Sequence, residues 1–205
     1  RGCQATIMLK RGQFHHGDLR HALIEAGHCV LNERGLEQLS LRDLAVRVGV
    51  SQSAPYRHFK SKEALLQELI DGGLHELFLA YQRAASLEAS PKERLRSACH
   101  AYLDFADDRP GLFQLVFERD GAFNASSVTS SDDAPSFLLF LRLVKEVAPE
   151  RSDEMLLCAA ISCWSTIHGF ASLKCHAKKK KKADIGSIKS IVVDAAIDVI
   201  LSAES

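Results

Sequence analysis

Between Ser51 and His58 the chain reads SQSAPYRH, which sets side chains able to read base pairs beside others suited to phosphate. The Gln52 carboxamide can form paired hydrogen bonds with adenine N6 and N7, Ser53 can serve any base edge, and Ala54 offers a methyl to the thymine methyl. Ser51, Arg57 and His58 continue this polar surface. Only Pro55 and Phe59, at i and i+4, have the character of buried anchors. A helix buried in a core would not spend its surface this way, so duplex DNA is the expected partner.

Other residue types that could do chemistry lack the spacing for it. Cys3, Cys29, Cys99, Cys158, Cys163 and Cys175 show no CxxC pattern. With no export signal visible they read as reduced thiols, most of them small core residues. His15 and His16 are adjacent, and neighbouring side chains rarely make a metal site alone, so no metal is expected. There is no nucleophile elbow, no paired carboxylates in a suitable setting and no metal-ligand spacing. The chain is read as no enzyme and as needing no cofactor. The competing enzyme reading is a helical hydrolase using a Ser and a His under a Ser-rich lid.

Positioning the 51–58 stretch takes two tightly joined helices. Before it, Leu41, Leu44, Ala45 and Val48 repeat at helical spacing, with Ser40 as cap, Asp43 as its partner and Gly49 as the stop. The next helix is predicted from Ser51 or Ser53 to about Lys60, which places Pro55 near its start, where backbone N–H groups lack helical partners. Ahead of both lies an amphipathic helix marked by Leu19, Leu23, Ala26 and Val30. Ser61 caps a long helix behind them. Consecutive Gly72 and Gly73 inside that helix mark a bend or close packing, with packing favoured.

No strand alternation persists anywhere, so the fold class is all-α: a three-helix helix-turn-helix domain followed by a helical ligand-binding and dimerisation domain. The divisions fall at 1–13, an arm or leader; 14–62, the DNA-binding domain; and 63–205, the regulatory domain. Gly121 to Pro135 is a polar, Ser-rich loop. Lys178 to Lys182 form a lysine run read as solvated. Met155 to Leu173 is uncharged and approaches membrane-spanning length, but its Ser, Thr, His and Gly content favours a buried or interface helix, with no membrane partner. The net charge is zero, yet residues 1–62 carry ten Lys/Arg against five Asp/Glu, so one end is built to meet a polyanion.

The stretch LEQLSLRDLAVRVGVSQSAPYRHFKSKEALL, Leu36 to Leu66, resembles the TetR family of bacterial transcriptional regulators, most specifically in its Tyr-x-His-Phe followed by KSKEAL. FHHGDLRHALIEAG before it is similar to the first helix of such proteins. YLDFADDRPGLFQLVF and WSTIHGFASL resemble a carboxy-terminal domain marked by Trp-x-x-x-His-Gly, here Trp164, His168 and Gly169. The resemblance implies that Tyr56, His58, Lys62, Ser40 and Arg42 contact phosphates, and that Lys10 and Arg11, on an amino-terminal arm, reach backbone or minor groove. It implies a cytoplasmic homodimer that binds a palindromic operator, probes an effector and acts as a repressor. The last two helices form the dimer face; Ile188, Ile191, Val192, Ala195, Ala196, Val199 and Ile200 lie on one stripe. Tyr102, Phe105, Phe113, Phe117, Phe137, Phe140, Cys163, Trp164, Ile167 and His168 are candidates to line an apolar effector cavity, against the plainer reading that they are core. A DNA-binding dimer without an effector remains the alternative within this class.

Overall fold

The computed structural model describes residues 16–117, 135–176 and 185–202, with the side chains of 16–18, 176, 185 and 186 left aside. Within them, eight α-helices follow one another: α1 His16–Arg34, α2 Leu41–Val48, α3 Lys62–Ala85, α4 Pro91–Asp108, α5 Pro110–Phe117, α6 Pro135–Val147, α7 Asp153–His176 and α8 Ile185–Ser202. Two single 3-10 turns, Leu36–Gln38 and Pro55–Arg57, interrupt them. Among the described residues there is no strand, as the all-α expectation requires.

Local chemistry sets the helix ends. Ser40 caps α2, accepting from the Asp43 amide at 3.1 Å while its hydroxyl donates to the Asp43 carboxylate at 2.5 Å. Ser61 caps α3 through the Ala64 amide. Ser90 and Glu93 form a reciprocal capping box ahead of α4, with Pro91 in the first turn, where its missing N–H costs nothing. Each such cap is worth about 1 kcal/mol.

α1, α2 and the Pro55–Arg57 turn pack as a head around Leu23, Leu44, Leu65 and Leu69. Behind it, α4 is wrapped by α3, α6, α7 and α8. Tyr102, Phe113, Phe140, Cys163 and Ile167 fill that rear core and are essentially inaccessible. Ion pairs from Lys174 and Lys189 to Asp104 and Asp107 tie α7 and α8 to α4. Exposed pairs of this kind contribute less than about 1 kcal/mol each, so packing carries the association.

Head and rear meet through α5. A Cβ at Gly111 would lie 2.3 Å from the Leu31 carbonyl oxygen, so only glycine lets the two main chains approach this closely. The Asn32 side chain accepts the otherwise orphaned Gly111 amide at 3.1 Å, and Arg109 pairs with Glu76 of α3 at 3.1 Å.

Several expectations change. The helix predicted from Ser51 or Ser53 to about Lys60 is a single 3-10 turn, and neither serine caps it. Pro55 has no N–H to give the Ser51 carbonyl, which is bonded instead by Ala54 three residues on; only the Phe59 amide, bonding the Pro55 carbonyl, closes a full α-turn. The apolar positions of α8 occupy two faces. Val193, Ala196, Ile197 and Ile200 are buried, whereas Ile188, Ile191 and Val199 are exposed, Ile191 by 64%. Gly73 packs against Leu112 and Val116, and α3 passes through both glycines as one helix, which supports packing over a bend. Cys29 is disulfide-bonded, with its partner outside the described residues, so the reduced-thiol reading fails there; spacing along a chain does not report which sulfurs meet in space. Cys99, Cys158, Cys163 and Cys175 are not disulfide-bonded. Among the described residues one helix, Asp153–Cys175, is long and apolar enough to cross a membrane by length and composition alone. The 121–134 loop and the lysine run lie outside the described residues.

Candidate nucleic-acid interface

Sequence builds the reading turn from its buried side outward. Phe59 is 2% exposed, and burying such a ring stabilises by about 1.5–3 kcal/mol. The Arg20 guanidinium sits 5.5 Å above that ring and is itself fixed by a bidentate pair with Glu68 at 2.6–2.7 Å. Pro55 is buried beside it. The turn is thus pinned at both ends by apolar contacts, and its polar residues have nowhere to go but outward.

The joint to α2 is equally determined. Gly49 adopts φ 80°, ψ 31°, the left-handed conformation glycine takes without strain. The Val50 amide then bonds the Ala45 carbonyl at 2.9 Å and the Gly49 amide bonds Val46 at 3.2 Å, a Schellman closure. A bidentate Arg47–Glu33 pair, 2.9 Å on both arms, locks α2 to α1 and raises the Arg47 pKa through those hydrogen bonds.

Ser51, Gln52, Ser53, Tyr56, Arg57, Lys60 and Arg42 are all exposed, with Ala54, His58, Ser40 and Lys62 half-buried among them. Gln52, Ser53 and Ala54 occupy the bends that lead into the turn, and Tyr56 is 48% exposed. Ser51 and Ser53 hydroxyls lie 3.2 Å apart. Lys62 donates to the Leu36 carbonyl at 3.2 Å, leaving its other ammonium protons for a phosphate. Ser40 is committed to its cap, but its oxygen sits at a helix N-terminus, where anions are favoured. Lys10, Arg11 and His15 lie outside the described residues, as does the side chain of His16. Sequence places Arg57 on the polar surface without a role of its own, and gives no sign of Val46, 69% exposed on α2, or of Lys60, a charge visible just beyond the polar run.

In the rear, the candidate effector residues divide. Tyr102, Phe113, Phe117, Trp164 and His168 form one aromatic cluster: Trp164 stacks on His168 at 4.9 Å, and Phe113 and Phe117 lie 5.5 and 5.7 Å from the imidazole. The Tyr102 hydroxyl and His168 Nδ1 are 2.7 Å apart, the tautomer deciding which donates. Cys163 and Ile167 are buried on the same face of α7. Phe137 and Phe140 join Tyr81, Ser136, Leu77, Phe117 and Trp164 around a void of about 10 Å³. Phe105 stands apart, in a cleft of about 230 Å³ between α3 and α4. Tyr81 and Ser136 are additions; only the tertiary packing of α3 on α6 brings them here.

Residues 23–69 match the family model for bacterial regulatory proteins of the tetR family, and residues 95–195 match the Tetracyclin repressor-like C-terminal domain. The chain belongs to the TetR family. Over 115 residues it is 33% identical to the HTH-type transcriptional repressor KstR2 of Mycobacterium tuberculosis, covering 56% of this chain and 50% of that one. It thus spans about half the length of the curated relatives it matches. A structure of a protein of unknown function from Rhodococcus sp. RHA1 superposes with a TM-score of 0.72 at 30% identity, over 91% of this chain and 95% of that one. A TetR variant from Acinetobacter baumannii AYE, in complex with minocycline, shares the fold at a TM-score of 0.67 and 18% identity, over 94% and 99% of the two chains. For this TetR-family chain the matched head contains the whole of the pinned turn.

Proposed function

We propose that this TetR-family chain is a DNA-binding transcriptional regulator, a repressor released by a small apolar effector. The observation that carries the reading is the outward-facing Ser51–His58 turn, anchored by buried Pro55 and Phe59 and flanked by Arg42, Arg57 and Lys60. Gln52, Ser53 and Ala54 meet base edges; Tyr56, His58, Lys62, Ser40 and Arg42 position the head on phosphates, joined by Lys10 and Arg11 from the arm. The chain works where operator DNA is, in the cytoplasm.

Two protomers pair through α7 and α8, whose exposed Met155, Ile161, Leu173, Ile188, Ile191 and Val199 form an apolar face that a second copy would cover. A two-fold dimer then matches a palindromic operator with half-sites about 34–36 Å apart, or a multiple of that. The rear domain, 63–205, is of the Trp-x-x-x-His-Gly type through Trp164, His168 and Gly169, with its effector held near the aromatic cluster. Selection of bound fragments from random duplex DNA tests this: a two-fold symmetric motif is the expected result, and no enrichment in dilute salt would sink the reading.

The small size of the void beside Trp164 favours one second reading, a DNA-binding dimer whose rear domain only pairs. A thermal-shift screen separates the two, because a ligand that binds only the folded state raises the melting temperature.

A further inference from the structure

Between Phe78 and Ser86 of α3 and Leu139 and Arg142 of α6 runs a groove of about 800 Å³. The two helices pack through the buried rings of Tyr81 and Phe140, centroids 5.8 Å apart, and the groove lies along that seam. None of the described residues that line it is buried: Phe78 and Leu139 are half-buried, and Leu79 is 38% exposed. Contiguous apolar surface left open marks a binding site, where scattered single side chains do not. Small-molecule sites enclose most of their ligand, and a trough with no buried wall encloses nothing. It suits a long object. The α3 wall spans about 12 Å, two helical turns. A third helix laid between α3 and α6 would set apolar side chains at i, i+4 and i+7 against it.

Charge selects which helix. Arg83 stands on the α3 wall and Arg142 on the α6 wall, and among the described residues none that lines the groove is acidic. Arg142 reaches Glu146 at 3.5 Å, but Arg94 holds the same carboxylate at 2.7 Å, so one anion answers two guanidiniums. Arg83 also borders the neighbouring cleft of Glu76, Asp104 and Asp108, where Glu76 is paired with Arg109 and Asp104 with Lys189. Position leaves the groove accessible. Phe78 lies about 24 Å along α3 from Lys62, and neither α3 nor α6 contributes to the apolar face on α7 and α8.

We propose that this groove docks an acidic amphipathic helix of a partner protein, its apolar stripe on Phe78, Leu79 and Leu139 and its carboxylates on Arg83 and Arg142. The inference adds a protein partner to the regulator and stands whether or not the rear domain takes an effector.

The test selects a displayed library of random peptides, each about 16 residues and so long enough to hold a helix, against the full chain. Enriched peptides should carry Asp or Glu beside an apolar i, i+4, i+7 stripe. In fluorescence anisotropy, Arg83→Glu with Arg142→Glu should weaken them at least about tenfold, and Arg83→Lys with Arg142→Lys far less, because lysine keeps the charge. Leu79→Asn, which alters the apolar floor, should weaken them as well but leave their salt dependence as it was. All three positions are exposed, so melting temperatures should stay near the parent's.

Enrichment of no peptide rejects the proposal. Enrichment of basic or uncharged peptides, or indifference to the double charge reversal, rejects it equally. Affinity for the selected DNA fragments is measured in parallel. A chain that holds DNA but gathers no acidic helix loses only this inference, and one that gathers such helices but ignores DNA loses only the regulator reading.

Discussion

At the scale of single residues, the reading turn separates tasks that measurement can tell apart. Gln52 is exposed and leads into the turn, where its carboxamide can span two adenine positions. Gln52→Ala should lower the ratio of operator to random-DNA affinity by about 1–3 kcal/mol; equal losses on both, in a filter-binding titration, would remove it from the base readers. Tyr56→Phe deletes a phosphate donor and should weaken both duplexes alike; unchanged affinities would strike Tyr56 from the phosphate contacts. His28 titrates elsewhere, on α1. Its Nδ1 is buried without a partner, and its pKa is lowered first by burial and then by Arg109, with Glu25 opposing. A histidine whose folded pKa lies below its unfolded value of about 6.5 binds fewer protons when folded. Stability is therefore full above about pH 6.5 and declines as the pH falls toward the folded pKa. His100 is shifted the same way, chiefly by burial, so the two slopes add. Melting curves from pH 7.5 to 5.5 should show the decline, and His28→Leu should flatten it in part.

At the scale of elements, α3 offers an internal comparison. A Cβ at Gly72 would meet nothing within 4 Å, whereas one at Gly73 would lie 3.2 Å from Leu112 and 3.3 Å from Val116 of α5. Gly72→Ala should raise stability by about 0.5–1 kcal/mol through the unfolded chain's lost freedom. Gly73→Ala should forfeit that gain and fall below the parent, because Leu112 and Val116 are themselves buried and have little room to retreat. Denaturant midpoints of the two variants decide it, and similar shifts would show that α5 leaves room at Gly73 after all. What could be read from sequence tracks how local its cause is. Ser40, Gly49 and Ser61 announce caps and stops through neighbours a few residues away, and the structure has them in those roles. Pro55 was legible as a helix start, but the brevity of the helical piece it opens was not, since a 3-10 turn differs from an α-turn by one unmade bond. Tyr81 and Ser136 gave no local sign at all. They are neighbours only because α3 packs on α6. The stripe on α8 was legible, but not which of its members meet this chain's own core: Ala196 and Ile200 are buried, while Ile188, Ile191 and Val199 stay exposed.

At the scale of the whole molecule, the exposed faces of α7 and α8 make the oligomer the decisive variable. Ile191→Glu places a charge where a second copy would bury it, and should shift the sedimentation coefficient from dimer to monomer at micromolar concentration. Operator affinity should fall with it, because one head alone makes half the phosphate contacts. A monomeric variant that still held the operator at full strength would detach dimerisation from recognition. Within each copy, the main chain at Gly111 comes up against the Leu31 carbonyl, and the Asn32 side chain accepts the Gly111 amide at the same place. Gly111→Ala should therefore cost stability in both halves at once, because its Cβ would overlap the Leu31 carbonyl and displace the Asn32 carboxamide from the Gly111 amide.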